Sequence, residues 1–142
     1  MHVSSHDRFA VLSRCPVFAT LPPERVQLLA EMMRVEQFAA GDDICVEGEH
    51  ADELYVVVSG RMTVHVLGRS EPMREMGPSE IFGELAMFSA HVRTSTVRAK
   101  EDSVLLSLDY TRFRELLLAF PEASFALLSV TVARLLFAQK QS

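Results

Sequence analysis

Residues 82–99, FGELAMFSAHVRTSTVRA, bring together the residue types that hold anions. Gly83-Glu84-Leu85-Ala86 reads as a tight turn opening a short helix, about 83–88. The first N–H groups of such a helix lack intrahelical acceptors and form an anion cradle. Nine residues beyond Glu84 stands Arg93, followed by the hydroxyls of Thr94, Ser95 and Thr96. A guanidinium clamps phosphate in bidentate fashion, and a neighbouring hydroxyl can donate to the same oxygens. A carboxylate in this cradle would repel phosphate unless it faced another group. A ribose hydroxyl, which donates a hydrogen bond, is the natural partner for Glu84. Taken singly, Arg93 and Glu84 read as a surface charge pair of little energetic weight. Their coincidence with the turn and the hydroxyls favours a ligand.

Other chemistries find less support. The acidic run Asp42, Asp43, Glu47, Glu49, Asp52, Glu53 lacks the ligand spacing of a calcium loop and reads as a solvated face. His2, His6, His50, His65 and His91 are scattered, with no HxH or HExxH pair, so no metal site is expected. This weighs against a cupin-type enzyme, which would share a barrel-like strand pattern. There is no GxSxG elbow and no lysine-bearing phosphate loop. Cys15 and Cys45 read as small core residues of a reduced, cytoplasmic protein. No catalytic residue is assigned.

The elements that must position the cradle follow from punctuation. All six glycines lie between residues 41 and 83, so the middle predicts short strands joined by turns and the flanks predict helices. Near the N-terminus, Val26, Leu29, Ala30 and Met33 share one helical stripe after Pro22 and Pro23, which suit a helix start. Met62, Val64 and Val66 alternate with polar residues as in a half-buried strand. Val104, Leu106 and Leu108 repeat that pattern. After Asp109 the period turns helical, with Phe113, Leu116 and Leu117 on one face. The helix begun by Pro121 carries two apolar rows: Phe125, Leu128, Val132, Leu135 and Ala126, Val130, Ala133, Phe137. A helix apolar nearly all round needs cover on more than one side. The resulting fold class is α+β in one domain over 1–142. Helical residues 5–33 precede a small antiparallel barrel or roll over 34–108, and helices over 110–119 and 121–140 follow it.

With 142 residues, 49% apolar and 23% charged, the chain can bury a core, which excludes a disordered chain. Its 19 acidic against 14 basic residues, net −5, argue against non-specific nucleic-acid binding, which needs a basic face. The uncharged run Ala123 to Ala133 is 11 residues long, too short to span a bilayer, so no membrane span is expected.

The 82–99 stretch resembles the phosphate-binding cassette of cyclic nucleotide-binding domains, roughly FGE(L/I)AL and then PRxAT. Phe82, Gly83, Glu84, Leu85, Ala86, Arg93, Thr96, Val97 and Ala99 match it without gaps. Gly41-Asp42, Gly48, Asp52, Tyr55, Val57 and Gly60 are similar to the family's glycine-spaced strands, and YTRFRELLLAFPEASFALLSVTVAR to the helices of its bacterial catabolite-activator branch. The resemblance runs from about Val11 to Leu136. One departure is Val92, where the family often has proline. The resemblance implies an antiparallel β-roll (double-stranded β-helix, jelly-roll-like) flanked by N-terminal helices and two C-terminal helices.

It implies a site as well. The cyclic phosphate falls to Arg93, with the Thr94 hydroxyl and the N–H groups near Leu85 and Ala86. The ribose 2′-OH falls to Glu84 and the Gly83 carbonyl. Val64, Met73 and Phe82 are expected as apolar walls for the base. The expected function is a non-catalytic sensor without cofactor, whose ligand docks the 121–140 helix and changes association with a second copy or an effector protein. cAMP is chosen over cGMP, although a threonine directly after the arginine, as Thr94 is, also occurs in cGMP-preferring domains. The alternatives are a cGMP module and a ligand-independent interaction domain with a vestigial cassette. The catabolite-activator branch continues into a helix-turn-helix domain; no DNA-binding domain is expected in these 142 residues.

Overall fold

Each helix starts where a cap or a proline permits it. Residues 2–140 are described by a computed structural model. In helix α1 (Ser5–Ser13) the Ser4 side chain accepts from the Asp7 N–H at 3.1 Å, one of the donors the first turn leaves unpaired. Pro23 opens α2 (Pro23–Met32), where its missing N–H is no loss. Asp109 caps α3 (Tyr110–Ala119) through the Arg112 N–H at 2.9 Å, and α4 runs Pro121–Lys140. Between them lie β1 (Arg34–Phe38), β2 (Asp43–Cys45), β3 (Glu53–Ser59), β4 (Met62–His65), β5 (Arg74–Met76), β6 (Ile81–Phe82), β7 (Thr96–Ala99) and β8 (Ser103–Asp109). They form two antiparallel four-stranded sheets in the orders β1-β8-β3-β6 and β2-β7-β4-β5. This is the expected α+β arrangement, a β-roll with flanking helices.

Two apolar cores hold it. Leu12, Phe18, Leu54, Leu106 and Phe113 join the helices to the outer face of the first sheet. Val57, Met62, Met76, Phe82 and Leu105 fill the inside of the roll. Val26, Leu29 and Ala30 bury the expected stripe of α2, while Met33, also buried, is already the extended residue after the helix.

The structure departs from the sequence pattern in three places. Strand β8 was expected to bury alternate residues, yet Ser103 through Leu108 are all buried. It is a central strand with helices on one face and the roll interior on the other, so alternation carries no contrast. Val66 lies beyond the end of β4 and is only half-buried. Helix α4 buries neither of its two apolar rows fully, only Ala126 and Val130 of the second being half-buried. The stripe facing the domain is Ala123, Leu127, Thr131, Arg134, Ala138, while Phe125, Leu128 and Val132 stand in solvent and Leu135 and Phe137 stay partly exposed above the roll. By length and composition alone this helix could cross a membrane, although its longest uncharged run could not, and only 11% of its apolar window is buried. Its register on the domain is set by a polar contact.

Candidate nucleotide site

The loop that carries Arg93 is pinned from both sides. Arg93 N–H donates to the Glu49 carbonyl at 2.8 Å, Gly48 N–H to the Arg93 carbonyl at 2.9 Å, and Ala51 N–H to the His91 carbonyl at 2.8 Å. His50 forms an isolated bridge with Val92. Strand-like pairing of 48–51 therefore fixes the backbone that a proline at position 92 would otherwise restrain. Ala90 and His91 lie in the left-handed region at φ 58° and 59°, which turns the loop back toward the roll. His50 and His91, far apart in sequence, stack at 6.1 Å, and His91 meets the Tyr110 ring edge-on at 5.3 Å.

Arg93 is 8% exposed and turned into the fold. Nη1 donates to the Gly83 carbonyl at 2.9 Å and to the Tyr110 hydroxyl at 3.2 Å, and Nη2 to the Glu53 carbonyl at 2.9 Å. Its Cζ lies 5.7 Å from the Tyr55 ring centroid. Among the described residues Arg93 forms no ion pair. A buried charge held only by neutral oxygens and an aromatic face keeps its strongest interaction available for an anion. Three bonds leave two of its five N–H donors for one. Gly83, at φ +82°, must be glycine: a Cβ there would stand 2.8 Å from Arg93 Nη1.

Glu84 is 2% exposed, and its Oε1 accepts from Arg134 Nη1 of α4 at 2.9 Å. Arg134 Nη2 reaches the Ile81 carbonyl as well. This pair anchors α4 over the cassette and sets the helix register. Oε2 of Glu84 accepts no hydrogen bond among the described residues, so one carboxylate oxygen remains for a donor.

Arg93, Gly83, Glu84, Ala86 and Phe82 line an inner cavity of about 40 Å³. It continues into an outer one of about 290 Å³ that Met73 and α4 enclose, and Val64, Leu85 and Thr94 face both. The structure thus brings all nine sequence-selected residues to one cleft. Leu85–Phe88 form a single turn of 3-10 helix, shorter and tighter than the α-helical start that the sequence suggested. Of the three hydroxyls after Arg93, Thr94 and Ser95 face the cleft, whereas the Thr96 oxygen accepts from the Glu47 N–H at 3.0 Å and is structural.

Sequence reasoning missed Tyr110, Arg134 and Arg74. Arg134 was legible in principle, as the only charged residue in the apolar run 123–139. Tyr110 is buried, and its hydroxyl donates to the Gly83 carbonyl while accepting from Arg93. Burial pushes this phenol up to about 12, against the lowering pull of Arg93, so it stays a neutral donor at physiological pH. Cys45 beside the inner cavity is likewise raised to about 11 by burial, despite Arg93, and is no nucleophile.

The pattern described as "Cyclic nucleotide-binding domain" matches residues 35–120. The chain belongs to that family. It is 31% identical over 128 residues to the CRP-like cAMP-activated global transcriptional regulator of Mycobacterium tuberculosis, covering 88% of this chain and 57% of that protein. It is 30% identical over 111 residues to the cGMP-dependent protein kinase egl-4 of Caenorhabditis elegans, covering 75% of this chain and 14% of the kinase. Among solved structures, the N-terminal domain of a transcriptional regulator from Streptomyces coelicolor superimposes with a TM-score of 0.70 at 35% identity, covering 93% and 94% of the two chains. As a cyclic nucleotide-binding domain, the chain spans about half the length of the first of these curated relatives.

Tyr110→Phe keeps the ring in place and removes one hydrogen bond to Arg93. It is expected to weaken cyclic nucleotide binding about 3- to 10-fold. The loss should vanish in an Arg93→Lys background, because the hydroxyl acts through the guanidinium. An equal loss in both backgrounds would assign Tyr110 a purely structural role.

Proposed function

We propose that this domain is a non-catalytic cyclic nucleotide sensor, working in the cytoplasm without a metal or organic cofactor. The observation that carries the reading is Arg93, a buried guanidinium without a carboxylate partner, facing a cleft that Thr94 and Glu84 share. The cyclic phosphate takes the remaining Arg93 donors, with the Thr94 hydroxyl and the Leu85 and Ala86 N–H groups beside it. The ribose 2′-OH donates to Glu84 Oε2. Because Tyr110 and Arg93 already donate to the Gly83 carbonyl, a ribose contact there has to share that oxygen. Val64, Met73 and Phe82 wall the base. The relatives' names divide between cAMP and cGMP; cAMP is the ligand first expected from the sequence.

A ligand that binds only the folded state stabilises it in proportion to its excess over Kd. At a hundredfold excess the gain is about 2.7 kcal/mol, and Tm should rise by roughly 5–10 °C for a domain of this size. The rise is expected with cAMP or cGMP and not with the linear 5′-monophosphates. Unchanged Tm with every cyclic nucleotide would instead favour the vestigial-cassette reading.

Ligand binding also bears on α4. Arg134 and the incoming ribose meet at the same carboxylate, so the position of the helix and occupancy of the site are coupled. The outward face, with Phe125, Leu128 and Val132, offers an association surface to a second copy or an effector protein. Light scattering of the full chain should show self-association whose apparent constant shifts about fivefold or more with cyclic nucleotide. Arg134→Ala should retain association and lose the shift. A monomer at all concentrations, with and without ligand, would leave self-association no role.

A further inference from the structure

Residues 66–73 join β4 to β5 beyond the end of their ladder. The turn holds itself weakly: Arg69 N–H donates to the Val66 carbonyl at 3.3 Å, and Met73 N–H to the Val64 carbonyl at 2.7 Å. Leu67 at the tip is 84% exposed, so its side chain supplies no apolar anchor. Yet Val66 and Met73 wall the outer cavity together with Leu135 and Phe137 of α4. A segment with so few backbone bonds opens easily unless something outside it holds it shut.

Glu47 supplies that hold. Its Oε1 accepts from the Leu67 N–H at 3.1 Å, the one hydrogen bond that residues 66–72 make outside their own hairpin among the described residues. Glu47 forms no ion pair among the described residues, so no cation draws this oxygen away, and a charged acceptor strengthens the bond. Its backbone faces the other way. Glu47 N–H donates to the Thr96 oxygen at 3.0 Å, and Gly48 N–H, next along the chain, to the Arg93 carbonyl at 2.9 Å. One residue therefore ties the hairpin tip to the loop that carries Arg93. We infer that Glu47 is a positioning residue, a strap that holds the 66–73 turn over the outer cavity and so slows the escape of a bound cyclic nucleotide. This rests on the cyclic nucleotide reading above. Glu47 lines neither cavity, so it acts through the turn and tells no base from another.

The test reads two quantities on the full chain. Hydrogen exchange without nucleotide follows the Leu67 amide. Glu47→Ala should speed its exchange about fivefold or more, and Glu47→Gln, which keeps a carbonyl oxygen as acceptor, should recover most of the protection. Displacement kinetics follow the ligand. cAMP and cGMP should both leave Glu47→Ala about 3- to 10-fold faster than wild type, with association little changed. Glu47→Gln should again recover most of the loss. A ribose 3,5-cyclic phosphate without a base does not reach the turn, and its affinity should stay within about twofold of wild type in Glu47→Ala. Unchanged Leu67 exchange in Glu47→Ala would overturn the strap. So would a glutamine variant as impaired as alanine, or an equal loss for the baseless phosphate, which would place the effect at the Arg93 loop. Absence of cyclic nucleotide binding by wild type would defeat the sensor reading, while Leu67 exchange would still decide whether Glu47 holds the turn.

Discussion

Arg93→Ala is expected to weaken cyclic nucleotide binding about 30-fold to several thousand-fold, measured by calorimetry or competition. Removing one member of a desolvated charge pair typically costs about 2–5 kcal/mol, and each 1.4 kcal/mol is tenfold in Kd. Arg93 fits the upper part of that range because no carboxylate shares its charge and its Nη atoms are already aimed by three oxygens. Orientation is thus settled before the ligand arrives, and little side-chain freedom remains to be lost on binding. Arg93→Lys should recover only a small part of the loss. The fold should tolerate alanine, since the Glu53 and Gly83 carbonyls and the Tyr110 hydroxyl can take water from the cleft. An unchanged melting curve would keep the binding loss separate from misfolding.

Glu84→Ala is expected to act twice. It removes the acceptor offered to the ribose, a charged hydrogen bond whose loss should weaken binding about 10- to 100-fold. It also leaves Arg134 beside the cassette without its carboxylate, at a side-chain exposure of 18%. Breaking a buried pair from one side is strongly destabilising, and partial exposure brings the expected cost to about 2–4 kcal/mol. The two effects separate in a double variant. Glu84→Ala with Arg134→Met should regain most of the stability by denaturant unfolding and none of the binding. Recovery of binding in that variant would mean that Glu84 serves only to hold α4.

The cassette was legible because its residues are local: turn, helix start, arginine and hydroxyls all fall within 18 positions of the chain. The β-roll was legible from glycine spacing and from the alternation in Met62 and Val64. What could not be read depends on contacts between distant segments. Helix α4 is apolar on nearly every side, so periodicity offers no contrast to orient it; the pairing of Arg134 with Glu84 decides its inward stripe. In β8 the pattern Val104, Leu106, Leu108 suggested one covered face, whereas Leu105 fills the roll interior from the other. Arg74 between Met73 and Glu75 looks like an ordinary outward strand residue. Only the closure of α4 over β4 and β5 turns it into a wall of the cleft. Tyr110 reaches the site because α3 begins directly where β8 ends.

The most direct measurement is a calorimetric titration of the wild-type chain with cGMP and, separately, with cAMP. Saturable binding at one site per chain is expected for both, and is abolished or reduced at least 30-fold for both in Arg93→Ala. Binding of neither nucleotide, or equal binding by wild type and Arg93→Ala, would contradict the claim that the buried arginine holds a cyclic phosphate.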